Sequence, residues 1–390
     1  MASLEKFQQE TRQWLADHCP ESIRGSGISY AGGSKETIND ADFNTWFGHC
    51  VKRGYTVPSW PTIYGGAGLS VEQAKILTEE MQLIKAPLPL VGMGTAMIGP
   101  TLLELGDDDQ KARHLPKIAS GEIRWCQGYS EPGAGSDLAS LQTKAVADGD
   151  DYIVNGSKIW TSSAELADWI FCLVRTDAKA SKHEGISFIL FSMETPGVTV
   201  KPIELIAGSS PFCETFFDNV RAPRADRIGT ENRGWSIAKR LLQHERLSIG
   251  GPSTPDPSNR LSNIAKEYIG EVDNRIADSI LRDSIIDYEM RSRAFKLTTQ
   301  RSTQENAKGE SITFATSMFK YYSTELTCSE DELKLKVMGT RSLGWEGDEF
   351  SSQEITTTRR WLFDKALTIA GGSSEVQLNI IAKRVLGLPD

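Results

Sequence analysis

The feature that most limits how this chain of 390 residues can fold is its hydrophobic period, which changes twice. Leu4, Phe7, Thr11 and Trp14 recur at helical spacing. Helical patterning continues over Asp42–Arg53, closed by Gly54, then over Ser70–Lys85 and Gly94–Leu105, and in a short run Asp107–His114 closed by Pro116. A loop rich in proline and glycine (Pro58, Pro61, Gly65, Gly66, Gly68) interrupts these helices. From about residue 122 the texture becomes short β-branched or aromatic runs: Tyr152–Val154, Trp169–Val174, Ile186–Phe191 and Val198–Val200. Such runs, separated by Gly, Asp and Asn, predict an antiparallel sheet or barrel, with Asp148-Gly149-Asp150-Asp151 as a hairpin turn. Long helical patterns return from about residue 229. The expectation is an α+β multidomain chain: helices over 1–121, a β domain over 122–228 and helices over 229–390.

Composition removes several classes of function. Lys and Arg total 43 against 52 Asp and Glu, a net charge of −9, which argues against nucleic acid as the main partner. No apolar run approaches the roughly 20 residues of a membrane helix. The first residues lack the basic and apolar regions of a secretory signal. The six cysteines include no C-x-x-C pair and the five histidines are scattered, so free thiols in a cytoplasmic protein are expected and no metal site. The glycine signatures of dinucleotide folds and P-loops, the zincin H-E-x-x-H and the hydrolase G-x-S-x-G are all missing.

Three blocks carry chemistry instead. Glu131-Pro132-Gly133-Ala134-Gly135-Ser136-Asp137 places glycines where backbone N–H groups can approach an anion or a flat ring. Asn155-Gly156-Ser157-Lys158-Ile159-Trp160-Thr161-Ser162 follows, in which Trp160 taken alone reads as a core strand aromatic. The third block is Ala370-Gly371-Gly372-Ser373-Ser374-Glu375-Val376-Gln377, with Ser373 placed to cap the last helix. A fourth signal lies on the helix beginning near Trp235. Trp235, Ala238, Leu242 and Ile249 form an apolar stripe, and Glu245 and Arg246 flank it. A carboxylate there is either neutralised by neighbours or functional, and desolvation would raise its pKa toward that of a general base.

Together the blocks resemble acyl-CoA dehydrogenases over essentially the whole chain, and within that family the pimeloyl-CoA dehydrogenase large-subunit type and the bacterial enzymes of steroid side-chain breakdown. The resemblance implies an N-terminal helical domain, a central antiparallel β-barrel domain and a C-terminal four-helix bundle. It implies FAD, held by Gln127, Tyr129, Ser130, Gly135, Ser136, Trp160, Thr161, Ser162, Gly372, Ser373 and Glu375. Ser136, Arg246 and Gly371 would contact an acyl-CoA substrate. Many members carry their catalytic glutamate where this chain has Gly371. A minority place it in a Glu-Arg pair on the first helix of the C-terminal domain, matched by Glu245-Arg246, so Glu245 is the expected base. An electron-transferring flavoprotein as acceptor and a homo- or heterotetramer are implied as well.

Two further departures set expectations. The family's Arg-x-x-Phe-Gly segment, which binds the FAD pyrophosphate, is replaced by Asn274-Arg275-Ile276-Ala277-Asp278, leaving Arg275 and Arg282 as candidates. The Gly250–Pro257 insert predicts a helix break soon after Glu245, opening room for a bulky or long acyl group. Met93, Met97 and Ile98 are either pocket lining or helix core. Alternatives to a dehydrogenase are a half-site partner subunit without catalysis of its own, and an acyl-CoA oxidase.

Overall fold

The computed structural model describes residues 2–249, 260–307 and 315–389. It divides into two compact units: Met1–Ile203 with Pro211–His244, and Glu204–Ser210 with Glu245–Asp390.

The first unit opens with helices α1 (Ala2–His18), α2 (Ala41–Arg53), α3 (Val71–Leu83), α4 (Gly99–Leu105) and α5 (Asp108–Ala119). Their ends follow local chemistry. Asp40 caps α2 by accepting the Phe43 N–H, and Gly54 ends it at φ 74°. Ser70 and Gln73 form a capping box on α3. Pro116 does not close α5 as expected: the helix runs on to Ala119. Leu115, Ile118 and Ala119 are all buried in the core, and their packing outweighs the hydrogen bond that proline removes.

Strands β1 (Trp125–Gly128), β2 (Lys144–Asp148), β3 (Asp151–Ser162), β4 (Trp169–Arg175), β5 (Ile186–Ser192), β6 (Val198–Ile203), β7 (Phe212–Pro223) and β8 (Arg227–Ile228) form one sheet, with spatial order β6-β7-β3-β2-β4-β5-β8 and β1 beside β4. Gly149, at φ 60°, turns the β2–β3 hairpin, in which Asp148 pairs with Asp151. The sheet is mixed rather than wholly antiparallel: β1 and β2 both run parallel to β4. The β2–β3 hairpin lies between β1 and β4 in sequence, so the chain has length enough to return in the same direction. β4 is buried on both faces. Phe171 and Leu173 pack toward Trp60, Leu102 and Ile118 of the helical layer, whereas Ile170, Cys172 and Val174 meet Tyr152, Val154 and Val220 from β3 and β7. This accounts for its unbroken apolar run. Helix α6 (Gly234–Ile249) adds Ile237, Ala238 and Leu241 to the first of these cores.

In the second unit, α7 (Leu261–Ile269), α8 (Ser279–Ala307), α10 (Ser352–Asp364) and α11 (Ser374–Ile380) pack around α9 (Ala315–Met338). Strands β9 (Glu271–Val272) and β10 (Arg275–Ile276) make a hairpin between α7 and α8. No helix among the described residues is long and apolar enough to cross a membrane.

Candidate functional site

The first two blocks meet through one buried cation. Alternation along β3 puts Tyr152, Val154 and Lys158 on the inward face, and Lys158 is 0% exposed. Its ammonium donates to the Tyr129 carbonyl at 3.0 Å and to Glu131 Oε1 at 2.8 Å. Glu131 also accepts the Gln142 N–H at 2.7 Å and the Thr143 N–H at 2.9 Å. Burial pushes the Glu131 carboxyl up, but the Lys158 ammonium and these hydrogen bonds outweigh it and hold it below its ordinary value. The Ile159 N–H donates to the Ser130 carbonyl at 2.9 Å, so the 129–131 segment is bound to β3 at Lys158 and at its neighbour. Arg175 fixes the far end of the loop, donating to the carbonyls of Ala139 at 2.7 Å and Glu184 at 3.0 Å. Lys182 pairs with Asp137. Held this way, Gly133, Gly135, Ser136 and Asp137 stay exposed, and a Cβ added at either glycine would meet open space.

Beyond Lys158 the strand breaks register. A bulge between Lys158 and Thr161 adds one residue, and Trp160 sits there at φ 60°. A bulky residue with positive φ is uncommon. Strict alternation would turn Trp160 inward with Lys158; the bulge turns it outward, leaving it 52% exposed, while Thr161 becomes buried. The core reading of Trp160 is therefore set aside. Phe212 meets the indole edge-on at 6.0 Å. Nearby positions carry polar atoms short of partners: Gln127 Nε2 and Thr161 Oγ1 are buried and make no hydrogen bond. An exposed aromatic plate, an open glycine loop and orphaned donors suit a flat ring bearing polar edges and a phosphate-bearing tail, which fits FAD. Tyr129 presents only its backbone here; its ring packs edge-on against Phe171 and Phe188. Ser162 is half-buried and pairs with Phe212 across the ladder.

The third block lies in the second unit. Gly371 and Gly372 take φ 65° and 97°, a region that side chains rarely adopt. Lys320, 0% exposed on α9, donates to the Gly372 carbonyl at 2.7 Å, and Gln377 Nε2 donates to the Gly371 carbonyl at 3.0 Å. Ser373 caps α11 by accepting the Val376 N–H, as the sequence predicts. Glu375 is exposed, and its own backbone N–H and the Ser373 hydroxyl hold its carboxyl below the ordinary value.

Helix α6 is described as far as Ile249, but the side chains of Glu245 and Arg246 lie outside the described residues, as does the 250–257 insert on which the expected helix break falls. Arg275 is exposed on the β9–β10 hairpin, not on a helix, and turns after Asp273 and Asn274, both at positive φ. Arg282 Nη1 donates to the Ile276 carbonyl at 3.2 Å and so braces that hairpin. Met97 and Ile98 are buried in the core, with Met93 packed against it. Sequence reasoning gave no role to Glu131, Lys158 or Arg175. The signal available for Lys158 was a charge in phase with the inward residues of its strand.

Three family models match the chain in order: the acyl-CoA dehydrogenase N-terminal domain over residues 3–122, the middle domain over 126–220 and the C-terminal domain over 232–386. Acyl-CoA dehydrogenase IpdE1 of Mycobacterium tuberculosis is 35% identical over 397 residues, spanning 100% of this chain and 99% of the relative. Acyl-CoA dehydrogenase FadE26 of the same organism is 34% identical, over 86% of this chain and 85% of its own length. Among solved structures, the Tcur3481-Tcur3483 steroid ACAD aligns with a TM-score of 0.78 at 28% identity, covering 100% of this chain and 98% of that one. The ChsE4-ChsE5 complex from Mycobacterium tuberculosis aligns at 0.77 and 29%, with the same coverage.

Proposed function

Since the chain belongs to the acyl-CoA dehydrogenase family of flavin-dependent oxidoreductases, we propose that it dehydrogenates a bulky, steroid-type acyl-CoA across Cα–Cβ, with Glu245 as the base and FAD as the cofactor. The observation that carries the cofactor assignment is the Trp160 bulge, an exposed indole held at positive φ, in a sheet where Gln127 and Thr161 also carry buried polar atoms without partners. Gln127, Ser130, Gly135, Ser136, Trp160, Thr161 and Ser162 are assigned to the flavin from this side, Tyr129 through its backbone alone. Gly372, Ser373 and Glu375 are assigned to it from the third block. Bound there, the flavin supplies the hydride acceptor that no side chain can provide.

The chain's own residues do the rest. An α-hydrogen beside a thioester is weakly acidic, so its removal at neutral pH needs a donor on the carbonyl and a desolvated base. Gly371 at φ 65° supports the division of labour. That backbone disfavours a glutamate side chain but leaves the N–H as donor to the thioester carbonyl, which transfers the base role to Glu245. Arg246 and Ser136 would hold the acyl-CoA. The steroid-type acyl group rests on the likeness to the Tcur3481-Tcur3483 steroid ACAD. Glu245→Gln should retain FAD and lose dehydrogenation by ~10²–10⁴. Near-normal turnover would remove Glu245 from the role.

A second reading, favoured by the β9–β10 hairpin, makes the chain one half of a heterotetramer. The family's Phe-Gly is replaced there by a hairpin on which Arg275 is exposed and which Arg282 braces at Ile276, and a related structure is a two-component complex. The chain purified alone would then bind FAD only when a partner subunit is added. Electron-transferring flavoprotein as acceptor is part of the proposal under either reading; peroxide release in air would replace it with an oxidase.

A further inference from the structure

We infer that Lys158 and Glu131 are a positioning pair for the cofactor loop: a buried ion pair that holds the 129–143 segment and the Trp160 bulge in the shape that receives the flavin. The inference rests on the flavin reading above and adds two residues to which that reading gives no role.

The geometry is that of a hub. Lys158 reaches the carbonyl of Tyr129 and the carboxylate of Glu131. Glu131 in turn gathers the N–H groups of Gln142 and Thr143, and the Thr143 hydroxyl donates to the Ser157 carbonyl at 3.2 Å. The segment before the glycines, the segment after them and β3 thus converge on one carboxylate and one ammonium. Gly156 completes the approach. It sits at φ 147°, and a Cβ there would lie 2.7 Å from Thr143 Oγ1 and 2.8 Å from Thr143 Cα. At the centre of the hub Lys158 is wholly buried and the Glu131 side chain is 10% exposed, whereas Ser136 and Trp160 are exposed. A pair placed behind a loop cannot touch the ligand in front of it, but it decides where the loop's exposed groups stand. The bulge begins at Lys158 itself, so the residue that anchors the loop also sets the point from which Trp160 turns outward.

The experiment compares Lys158→Met, Glu131→Gln and, as a control, Val220→Ala, which opens a cavity in the same sheet away from the hub. Two readouts are taken: amide hydrogen exchange of the apo chain and FAD affinity with the induced visible circular dichroism of the bound flavin. Lys158→Met is expected to lose protection in 129–143 selectively, to weaken FAD at least tenfold and to change the dichroism. Val220→Ala should shift thermal stability and leave the dichroism alone. Glu131→Gln keeps one of the two acceptor oxygens and removes the charge, and should fall between them; it also carries the test if Lys158→Met does not fold. Unchanged exchange in 129–143, or FAD affinities that track thermal stability equally in all three variants, would overturn the inference. A wild-type chain that binds no FAD, alone or with a partner subunit, would strike the flavin reading instead, while the exchange data would still decide on the hub.

Discussion

Two glycine loops in this molecule are each held by a fully buried lysine, and they are held differently. In the sheet unit, Lys158 faces a carboxylate, Glu131, so the cation is neutralised inside the protein. In the helical unit, Lys320 donates to a backbone carbonyl, that of Gly372, and the nearby carboxylate of Glu375 is at the surface. Both arrangements fix a backbone that carries glycines at positive φ, Gly156 in one and Gly371 and Gly372 in the other. The difference lies in what is lost when a partner is removed. A buried ion pair broken from one side leaves a charge without compensation, whereas loss of Lys320 removes a donor from a carbonyl that Gln377 Nε2 also reaches at 3.5 Å. The sheet-borne loop is therefore the more strictly specified. That suits a loop that must present several exposed groups at once, while the helical loop has mainly to present backbone.

The sharpest way to break this contrast is Glu131→Ala, which should destabilise the sheet unit by about 3–5 kcal/mol in urea unfolding, as for other broken buried pairs. Lys320→Met should cost the helical unit less, about 0.5–1.5 kcal/mol for one lost hydrogen bond to the Gly372 carbonyl. Equal losses would erase the distinction. Glycine substitutions sharpen it further. Gly156→Ala would press on Thr143 Cα, which is backbone, while Gly372→Ala would press on Gln377 Nε2, the end of a side chain that can swing away. Both carry strain of roughly 1–3 kcal/mol, and Gly156→Ala should lie at the upper end.

The two units also part in their response to pH. In the helical unit Asp331 on α9 is 3% exposed and lies against Asp364 of α10, which is bonded to Arg360. Burial pushes the Asp331 carboxyl up from 3.8 to about 7, with Asp364 and Glu330 adding to the rise and Lys334 opposing it. A folded-state pKa above the unfolded one means that the native state binds more protons between these values, so this contribution falls as pH rises from about 4 to about 7. Glu131 has the opposite sign: its lowered pKa gives stability that is present above its ordinary value of 4.5 and lost as pH falls below it. Glu354, bound by Arg341 and held down at about 2, adds a loss of the same sign in the helical unit below 4.5. Melting curves from pH 4 to 7 should show Asp331→Asn flattening a decline with pH that Glu131→Gln leaves in place. A slope unaffected by Asp331→Asn would contradict the assignment.

What could be read from sequence follows the range of the interactions involved. The ends of α2, the β2–β3 hairpin and the Ser373 cap depend on residues within a few positions, and local chemistry predicts them. Pro116 misled because burial of Leu115 and Ile118 against distant parts of the chain overrode a local rule. The parallel pairing of β1 with β4 joins Trp125 to Trp169, and no local pattern encodes it. The site was legible as a set of motifs but not as a mechanism of support. Glu131 and Lys158 stand in different blocks, 27 residues apart, and only folding brings them within 2.8 Å. Trp160 was ambiguous because alternation turns it inward, and a bulge of one residue reverses that.

The most direct test of Glu245 as the base is an anaerobic titration of the FAD-loaded protein, together with its partner subunit if one is required, with a steroid acyl-CoA, followed by flavin absorbance. The wild-type visible band should bleach, and Glu245→Gln, equally yellow at the start, should stay yellow on the same timescale. Equal bleaching of both proteins would contradict the proposed mechanism.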